Sequence, residues 1–200
     1  IFLLFILLMM FLYDYILLSL TVVISLIVWF EFNNIFTKIF KKTKKEISFK
    51  RFFASLIVLI YLFIFDILLI SNFLNENKTI CLFVLSICIC TDIGGLLFGK
   101  IFKGKKLIKI SPNKTRSGSI GSFILSLLFM ILFFKLDILN LNLFDLVVLT
   151  IFVSLFSQIG DLLISYLKRK GKIKNTGHIL PGHGGFLDRV DGILLGVPVG

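Results

Sequence analysis

The sequence predicts an all-α, polytopic transmembrane protein with about six to seven membrane helices and basic cytoplasmic loops. Three observations predict it: 58% of the 200 residues are hydrophobic, long apolar runs recur along the chain, and basic residues collect between these runs. A soluble domain of this size could not bury so much apolar surface. The runs are continuously apolar without alternation, which is typical of membrane helices and not of barrel strands.

The individual spans follow from the length of the apolar runs, because a helix needs about 20 such residues to cross the hydrocarbon core. An incomplete span covers Ile1–Tyr13, and an interrupted one runs from Phe186 to the C-terminus. With Ile1 at its start and no basic residue before the first run, the chain does not resemble a secretory signal, and we expect an incomplete N-terminus. The complete spans are predicted at Tyr15–Phe32, Phe52–Ile70, Ile80–Phe98, Ile120–Phe134 and Leu146–Leu167.

The polar motifs divide the expected single integral-membrane domain of residues 1–200 into two parts. Residues 1–90 contain only membrane helices, whereas residues 91–200 carry every motif described below and form the expected catalytic half.

The basic residues predict the orientation. Lys38–Arg51 and Lys100–Arg116 carry seven cations each, and Lys168–Arg189 carries six, so 20 of the 22 basic residues lie on one side of an alternating topology. The positive-inside rule makes that side cytoplasmic. The net charge of +11 would suit nucleic acid in a soluble protein. Here anionic lipid headgroups explain it better, and no nucleic-acid partner is expected.

Two polar segments lie at the cytoplasmic ends of predicted spans. Asp92 falls inside an apolar run, where an acid is costly unless it faces a cavity, a cation or a partner; the alternative is an acid that snorkels to the interface. The segment Ser111–Gly118 leads into a helix, and its proline and small polar residues predict free backbone amides that, with the charges of Lys114 and Arg116, suit a phosphate. The alternative there is an ordinary capped turn with basic anchors.

The segment Ser165–Asp191, here called the signature segment, is the most informative part of the chain. It places five cations in seven residues, then a glycine-histidine-glycine turn, then Asp188 and Asp191 on one helix face. Asp161 lies near the end of the preceding span. If the two helix ends meet, Asp161, Asp188 and Asp191 form a carboxylate cluster that suits Mg²⁺ bridging to substrate phosphates. An ordinary positive-inside loop followed by an amphipathic helix is the alternative.

The cations and glycines of the segment suit phosphate binding. Lys168, Arg169 and Lys174 would neutralise phosphate charge, and arginine favours bidentate contacts. Glycines around His183 would let the backbone approach a ligand. The histidine itself could donate to phosphate, shuttle a proton or serve only as a turn residue.

At these residues the chain resembles the integral-membrane phosphatidate cytidylyltransferases, also called CDP-diacylglycerol synthases. Gly160-Asp161-Leu162, Ser111–Thr115 and Thr91-Asp92 resemble further segments of that family. Asn175 stands where the signature has an acid, and Ser117 where many members have glutamate. The positions that match the family signature in register are Ser165, Leu167, Lys168, Arg169, Lys174, Gly177, Leu180, Pro181, Gly182, His183, Gly184, Gly185, Phe186, Asp188, Arg189, Val190 and Asp191.

The resemblance implies transfer of a cytidylyl group from CTP to phosphatidic acid, which yields CDP-diacylglycerol and pyrophosphate. It implies Mg²⁺, alone or with a second cation, and a homodimer in the lipid bilayer. We expect a bacterial inner membrane, with the active site facing the cytoplasm. The expected metal ligands are Asp161, Asp188 and Asp191. The expected catalytic residues are these three with Lys168, Arg169 and His183. The expected substrate-binding residues are Asp92, Ser111, Lys114, Thr115, Ser165, Lys174, Gly184, Gly185 and Arg189.

Other functions remain open at this point. A CTP-dependent polyprenol or dolichol kinase would use similar chemistry but transfer the terminal phosphoryl group. CDP-alcohol phosphotransferases fit less well, because Asp191-Gly192 is not followed by their pattern. A transporter would carry acids across the bilayer as a relay, whereas most acids here gather near the cytoplasmic side.

Overall fold

The computed structural model describes residues 14–40, 45–74, 78–108, 111–136, 139, 141–177 and 184–200. These residues form two compact units that interleave along the chain. Unit 1 contains residues 1–76 and 167–189, and unit 2 contains residues 77–166 and 190–200. These units are defined by contacts between residues, whereas the division predicted after residue 90 is based on the position of the motifs and stays a prediction.

Unit 1 is built around two long helices, α1 (Asp14–Ile39) and α2 (Lys45–Leu74). Polar side chains join them. Ser25 Oγ donates to Asp66 Oδ1 at 2.7 Å, and Trp29 Nε1 donates to the carbonyl of Ser55 at 3.3 Å. Much of α2 exposes large apolar side chains, such as Phe49 and Phe63, which are both 64% exposed. That pattern suits a helix that faces lipid.

Unit 2 begins with α3 (Lys78–Phe102) and α4 (Arg116–Lys135), which are joined by a short hairpin. In the hairpin, β1 (Lys106–Ile108) pairs antiparallel with β2 (Ser111–Thr115). These strands were not predictable from the sequence, because they are short, polar and interrupted by a proline. Thr115 ends the hairpin and caps α4, since its side chain accepts a hydrogen bond from the amide of Gly118 at 3.1 Å.

Glycines allow α3 and α4 to pack closely. A Cβ atom added to Gly94 would lie 2.6 Å from the carbonyl oxygen of Gly121, and one added to Gly118 would lie 2.7 Å from that of Gly95. Contacts this short leave no room for a side chain. Small residues at such crossings let helix backbones approach in membranes, where packing and not water exclusion drives association.

Two further helices, α5 (Leu143–Lys170) and α6 (Leu187–Gly196), span parts of both units, and a 3₁₀ turn (Val197–Val199) follows. Within unit 2, α6 packs through glycines. A Cβ atom on Gly192 would lie 2.5 Å from Ser157 Oγ, and one on Gly196 would lie 2.6 Å from Cys88 Sγ. The buried face of α5 is likewise rich in small residues, namely Thr150, Val153, Ser154, Ser157 and Gly160.

Five of the described helices, α1 to α5, are long and apolar enough to cross a membrane. They contain the five complete spans predicted from sequence, which confirms the polytopic helical class. The partial span Ile1–Tyr13 lies outside the described residues. The interrupted run from Phe186 forms α6, which has 10 residues and is too short to cross a bilayer.

Candidate active site

Asp188 in the first turn of α6 is the most highly connected residue of the signature segment in unit 1. Its Oδ1 atom accepts a hydrogen bond from Lys168 Nζ at 2.7 Å, and the pair forms a salt bridge. Its Oδ2 atom accepts from the backbone amides of Thr176 at 3.0 Å and Gly185 at 3.1 Å. The structure therefore joins three parts of the signature segment at one carboxylate.

These contacts change the acidity of Asp188. Burial alone raises the pKa of this carboxyl group, but hydrogen bonds from Lys168 and from the amides of Thr176 and Gly185, with the charge of Lys168, outweigh burial. The net pKa lies below its usual value, so the carboxylate is ionised at neutral pH. An ionised Asp188 suits the charge-binding role that the motif predicts.

Glu31 was missed by the sequence analysis, which treated the first half of the chain as generic membrane helices. This α1 residue is 1% exposed, and its carboxylate accepts from the amides of Phe186 and Leu187, both at 2.9 Å, and from Thr176 Oγ1 at 2.6 Å. We call Glu31, Thr176, Phe186 and Leu187 the Glu31 anchor. The available signal was an acid inside an apolar run, which is costly without partners.

The glycines of the signature segment have two different structural roles in unit 1. Gly184 adopts φ +85°, a backbone conformation that favours glycine. Gly185 and Gly177 instead give room to the Glu31 anchor, because a Cβ atom on either would collide with the Glu31 carboxylate. Gly185 is thus explained by packing against Glu31 and Thr176, and its predicted substrate contact stays a prediction.

The other basic residues of the signature segment lie at the surface of unit 1. Arg169, Lys174 and Arg189 are all exposed, so their side chains are accessible to an anionic ligand. Asn175, which replaces the usual acid of the signature, is exposed as well. His183 and Gly182 lie outside the described residues.

Unit 2 gathers residues from four separate motifs. Lys114 of the hairpin forms a salt bridge with Asp161 of α5. Asp92 of α3 lies within electrostatic range of both Lys114 and Asp191 of α6. We call Asp92, Lys114, Asp161 and Asp191 the charge cluster. Its members are up to 99 residues apart in the sequence, and the structure brings these predicted site residues together within one unit.

The segment before α4 is more fully hydrogen-bonded than the sequence analysis expected. The amide of Arg116 donates to the carbonyl of Lys105, and that of Gly118 donates to Thr115. Two amides that were expected to be free for phosphate are therefore paired within the protein. Ser111 is buried in β2, whereas Lys114 is only partly exposed and directs its ammonium group to Asp161.

Gln158 is a second polar residue that the structure adds beside the charge cluster. It lies three residues before Asp161 on α5, and its Oε1 atom accepts from Ser119 Oγ. Its buried Nε2 atom has no hydrogen-bond partner among the described residues. Buried donors without partners are rare in native proteins. Ser165, four residues after Asp161, is half-buried on the same helix.

The carboxylates offer the oxygen ligands that Mg²⁺ prefers. Within the described ranges, no three or more His, Cys, Asp or Glu side chains are arranged to hold a metal ion. Mg²⁺ is often bound by only one or two carboxylates together with substrate phosphates, so the absence of a larger group among the described residues is compatible with a metal that substrate helps to bind. These residues fit a shared metal–substrate site better than a cage made by protein alone.

Comparison with known proteins gives one family. The family model described as the cytidylyltransferase family matches residues 1–200. A phosphatidate cytidylyltransferase of Staphylococcus haemolyticus (strain JCSC1435) is 45% identical over 111 residues, which are 54% of this chain and 42% of that protein. Proteins of the same name from Staphylococcus saprophyticus subsp. saprophyticus and Staphylococcus aureus (strain COL) are 39% and 40% identical over 126 residues, covering 62% of this chain and 48% of each relative. The chain thus spans about half the length of the curated relatives it matches.

Proposed function

Because the chain belongs to the cytidylyltransferase family, we propose that it transfers CMP from CTP to phosphatidic acid. A phosphate oxygen of the lipid forms a bond to the α-phosphorus of CTP, and the bond from that phosphorus to the bridging oxygen of the β-phosphate breaks. The products are CDP-diacylglycerol and pyrophosphate. The names of the similar Staphylococcus proteins support this reaction and these two substrates.

The observation that carries the proposal is the charge cluster of unit 2. Asp92, Lys114, Asp161 and Asp191 come from four motifs that resemble segments of this family, and they interact although they are distant in sequence. Lys114 neutralises carboxylate charge in the cluster and can exchange that contact for a phosphate. Ion pairs that can be exchanged in this way suit a site that binds and releases a triphosphate.

Transfer to a lipid phosphate places a particular demand on the site. The nucleophile is an ionised phosphate, so no strong general base is required. Positioning and neutralisation of charge dominate phosphoryl transfer, and the protein supplies both through lysine, arginine and hydrogen-bond donors. The buried Nε2 donor of Gln158 is a further group that can orient a phosphate oxygen of the substrate.

The metal site is part of the proposal. Asp161 and Asp191 would hold Mg²⁺ in unit 2, and Asp188 stays the third predicted ligand on the basis of the motif. Mg²⁺ would supply neutralisation of the triphosphate charge. Asp188 already accepts three hydrogen bonds through its two oxygens, from Lys168 Nζ and from the amides of Thr176 and Gly185. These bonds occupy three of the roughly four acceptor positions of a carboxylate, which leaves one for a metal ion.

The remaining site residues divide by chemistry. Lys168 orients Asp188, and the exposed Arg169, Lys174 and Arg189 would contact the triphosphate or the lipid phosphate. The predicted substrate contacts of Ser111, Thr115, Ser165 and Gly184 and the catalytic role of His183 also belong to the proposal. The proposal also includes a homodimer, a bacterial inner membrane, and a site that is open to both lipid and cytoplasm. The positive charge of the loops favours a cytoplasmic orientation of the site.

The test is an assay of purified protein in detergent–lipid micelles with phosphatidic acid, α-labelled CTP and Mg²⁺. We expect magnesium-dependent label in CDP-diacylglycerol together with an equal amount of pyrophosphate. The absence of lipid label in folded protein would contradict the proposal. Label that reaches a polyprenol from γ-labelled CTP, with release of CDP, would instead identify a lipid kinase.

A further inference from the structure

Glu31 belongs to none of the motifs, yet it is one of the most thoroughly buried polar residues of unit 1. It lies in the span Ser19–Ile39 and is 1% exposed. A carboxylate in such a position is costly unless hydrogen bonds replace its hydration. Three donors do so here: Phe186 N to Oε1, and Leu187 N and Thr176 Oγ1 to Oε2.

These donors lie at the start of α6. The first amides of a helix lack partners within the helix, and a negative group near them is stabilised by the helix dipole. Glu31 accepts from Phe186 and from Leu187, the first helical residue, so a side chain of α1 caps a helix that begins 156 residues further along the chain. With these amides engaged by a carboxylate, they are not available to a substrate phosphate.

Two glycines of the signature segment pack directly against the Glu31 carboxylate. Gly177 and Gly185, both matching the family signature, each lie so close to the Glu31 carboxylate that any side chain there would collide with it. Gly185, which the sequence analysis assigned to substrate binding, and Gly177 are therefore both required by a contact with α1.

Thr176 connects Glu31 with Asp188. Its hydroxyl oxygen lies 2.6 Å from Glu31 Oε2 and 3.1 Å from Asp188 Oδ2, and its amide donates to the same Asp188 oxygen. A displacement of Thr176 would therefore move a donor of Asp188. Gly185, whose amide is another donor of Asp188, precedes the residues that Glu31 holds.

We infer that Glu31 is a positioning residue: it fastens the signature segment to α1 at Thr176, Phe186 and Leu187, and so sets the orientation of Asp188. It has no direct contact with substrate in this role. The local arrangement stands on its own, while the effect on turnover rests on the proposed cytidylyltransferase activity.

The variant Glu31→Gln tests the arrangement without the need for activity. It keeps the volume but turns one acceptor oxygen into a donor that faces an N–H group. Asp66→Asn is the matched control, because Asp66 is also an acid within a membrane helix of unit 1, with Ser25 and not the signature segment as its hydrogen-bond donor. In the full-length protein in micelles, we expect the amides of Phe186 and Leu187 to exchange with deuterium about 10- to 100-fold faster in Glu31→Gln than in wild type. This factor corresponds to the loss of a hydrogen bond to a charged group.

The outcomes of the exchange experiment are distinct. Faster exchange confined to the start of α6 and Thr176 supports the inference. Unchanged exchange at Phe186 and Leu187 overturns it, and so does an equal acceleration throughout α1 and α2, which would mean a general loss of stability. The Asp66→Asn variant should leave the exchange of Phe186 and Leu187 as in wild type.

Kinetics test the second part. Because Asp188 stays a predicted ligand of the Mg²⁺ that would neutralise the CTP triphosphate, Glu31→Gln should lower kcat/KM for CTP about tenfold or more while the KM for phosphatidic acid stays within about twofold. A matching rise in both KM values overturns a positioning role. In a double-mutant cycle, Glu31→Gln and Thr176→Val should be strongly non-additive, whereas Asp66→Asn and Thr176→Val should be additive.

Failure of the proposed function is separable from failure of this inference. If wild-type protein forms no CDP-diacylglycerol but Glu31→Gln still shows the local exchange change, the reaction assignment fails and the anchoring of the signature segment stands. If wild-type protein is active and Glu31→Gln has wild-type exchange and kinetics, the inference fails alone.

Discussion

The Glu31 anchor of unit 1 and the α3–α4 pair of unit 2 are held together by different means. In unit 1, carboxylates of Glu31 and Asp188 accept hydrogen bonds from backbone amides that lie outside regular helix or at its start. In unit 2, helices approach through glycines, such as Gly94 against Gly121, and through small hydroxyl side chains. The interactions differ because helical backbone already has its hydrogen-bond partners, whereas non-helical backbone requires acceptors from elsewhere.

A helix satisfies its own backbone hydrogen bonds, so membrane helices need only close packing and a few side-chain bonds to associate. A non-helical segment leaves amides without partners, and burying them without an acceptor is costly. Carboxylates supply that acceptor in unit 1. Glu31 and Asp188 therefore serve to hold backbone, in addition to the ligand-binding role that is proposed for Asp188.

The largest effect is expected at Asp188, where both roles meet. Asp188→Ala should reduce turnover about 100-fold or more, because it removes the partner of Lys168 and of two amides at once. Asp145→Ala, at an exposed acid in the first turn of α5, is the matched control and should keep wild-type turnover. Activity of Asp188→Ala near the wild-type level would remove Asp188 from the candidate site.

Asp188 also predicts a pH dependence. Its pKa is lowered in the folded state, so its contribution to stability is fully present above the unfolded value of about 3.9 and is lost as pH falls through the folded value. The Asp188→Asn variant should be less stable than wild type at pH 7, and the difference should shrink below about pH 4. Thermal unfolding in micelles across this range measures it. A constant difference down to pH 2 would contradict the assigned cause.

Gly94 tests the packing of unit 2. Gly94→Ala should destabilise the protein by about 3 kcal/mol, because its Cβ meets the backbone of Gly121 and Ser122, which cannot move independently of α4. Gly95→Ala is the neighbouring control, since its Cβ meets chiefly the Ser122 hydroxyl at 3.0 Å and would cost at most that hydroxyl's hydrogen bond to the carbonyl of Thr91, with no shift of backbone. Unfolding midpoints of the two variants should differ clearly. Equal midpoints would indicate that the helices separate easily.

Thr91 tests the hydroxyl contacts of unit 2. Thr91 Oγ1 lies 2.9 Å from Ser126 Oγ and 3.0 Å from Ser154 Oγ, and the backbone carbonyl of Thr91 accepts a hydrogen bond from Ser122 Oγ. Thr91→Val keeps the shape and removes the hydroxyl, at an expected cost of about 1 kcal/mol. Thr79→Val on the exposed part of α3 is the control and should change stability little. A destabilisation by Thr91→Val as large as that by Gly94→Ala would contradict the larger contribution that is assigned to helix packing in unit 2.

The smallest effect is expected at Lys78, at the start of α3 and away from the predicted cytoplasmic face. Lys78→Ala should change stability by no more than about 0.5 kcal/mol and leave turnover unchanged. The same assay and unfolding measurement apply. A strong loss of activity would contradict the assignment of the site to the other end of α3.

The helices were predictable because a bilayer imposes a minimum apolar length on each of them. All five complete spans lie within observed helices, and Asp92, Asp161 and the pair Asp188 and Asp191 are helical as expected. The hairpin before α4 was not predicted, because β1 has only three residues and carries no alternating pattern over a useful length. Local patterns of that size contain too little information to identify a strand.

The residue types of the site and the motifs that they form can be read from the sequence, since hydrophobicity and spacing are local properties of the chain. Which of these residues come into contact depends on how the helices pack. Asp92, Lys114, Asp161 and Asp191 interact in unit 2, and Glu31 reaches donors 145 to 156 residues away in unit 1. The physical reason is that an acid in an apolar helix is costly without a partner, so the sequence indicates that a partner exists. Which residue it is depends on the packing of helices that are distant in sequence.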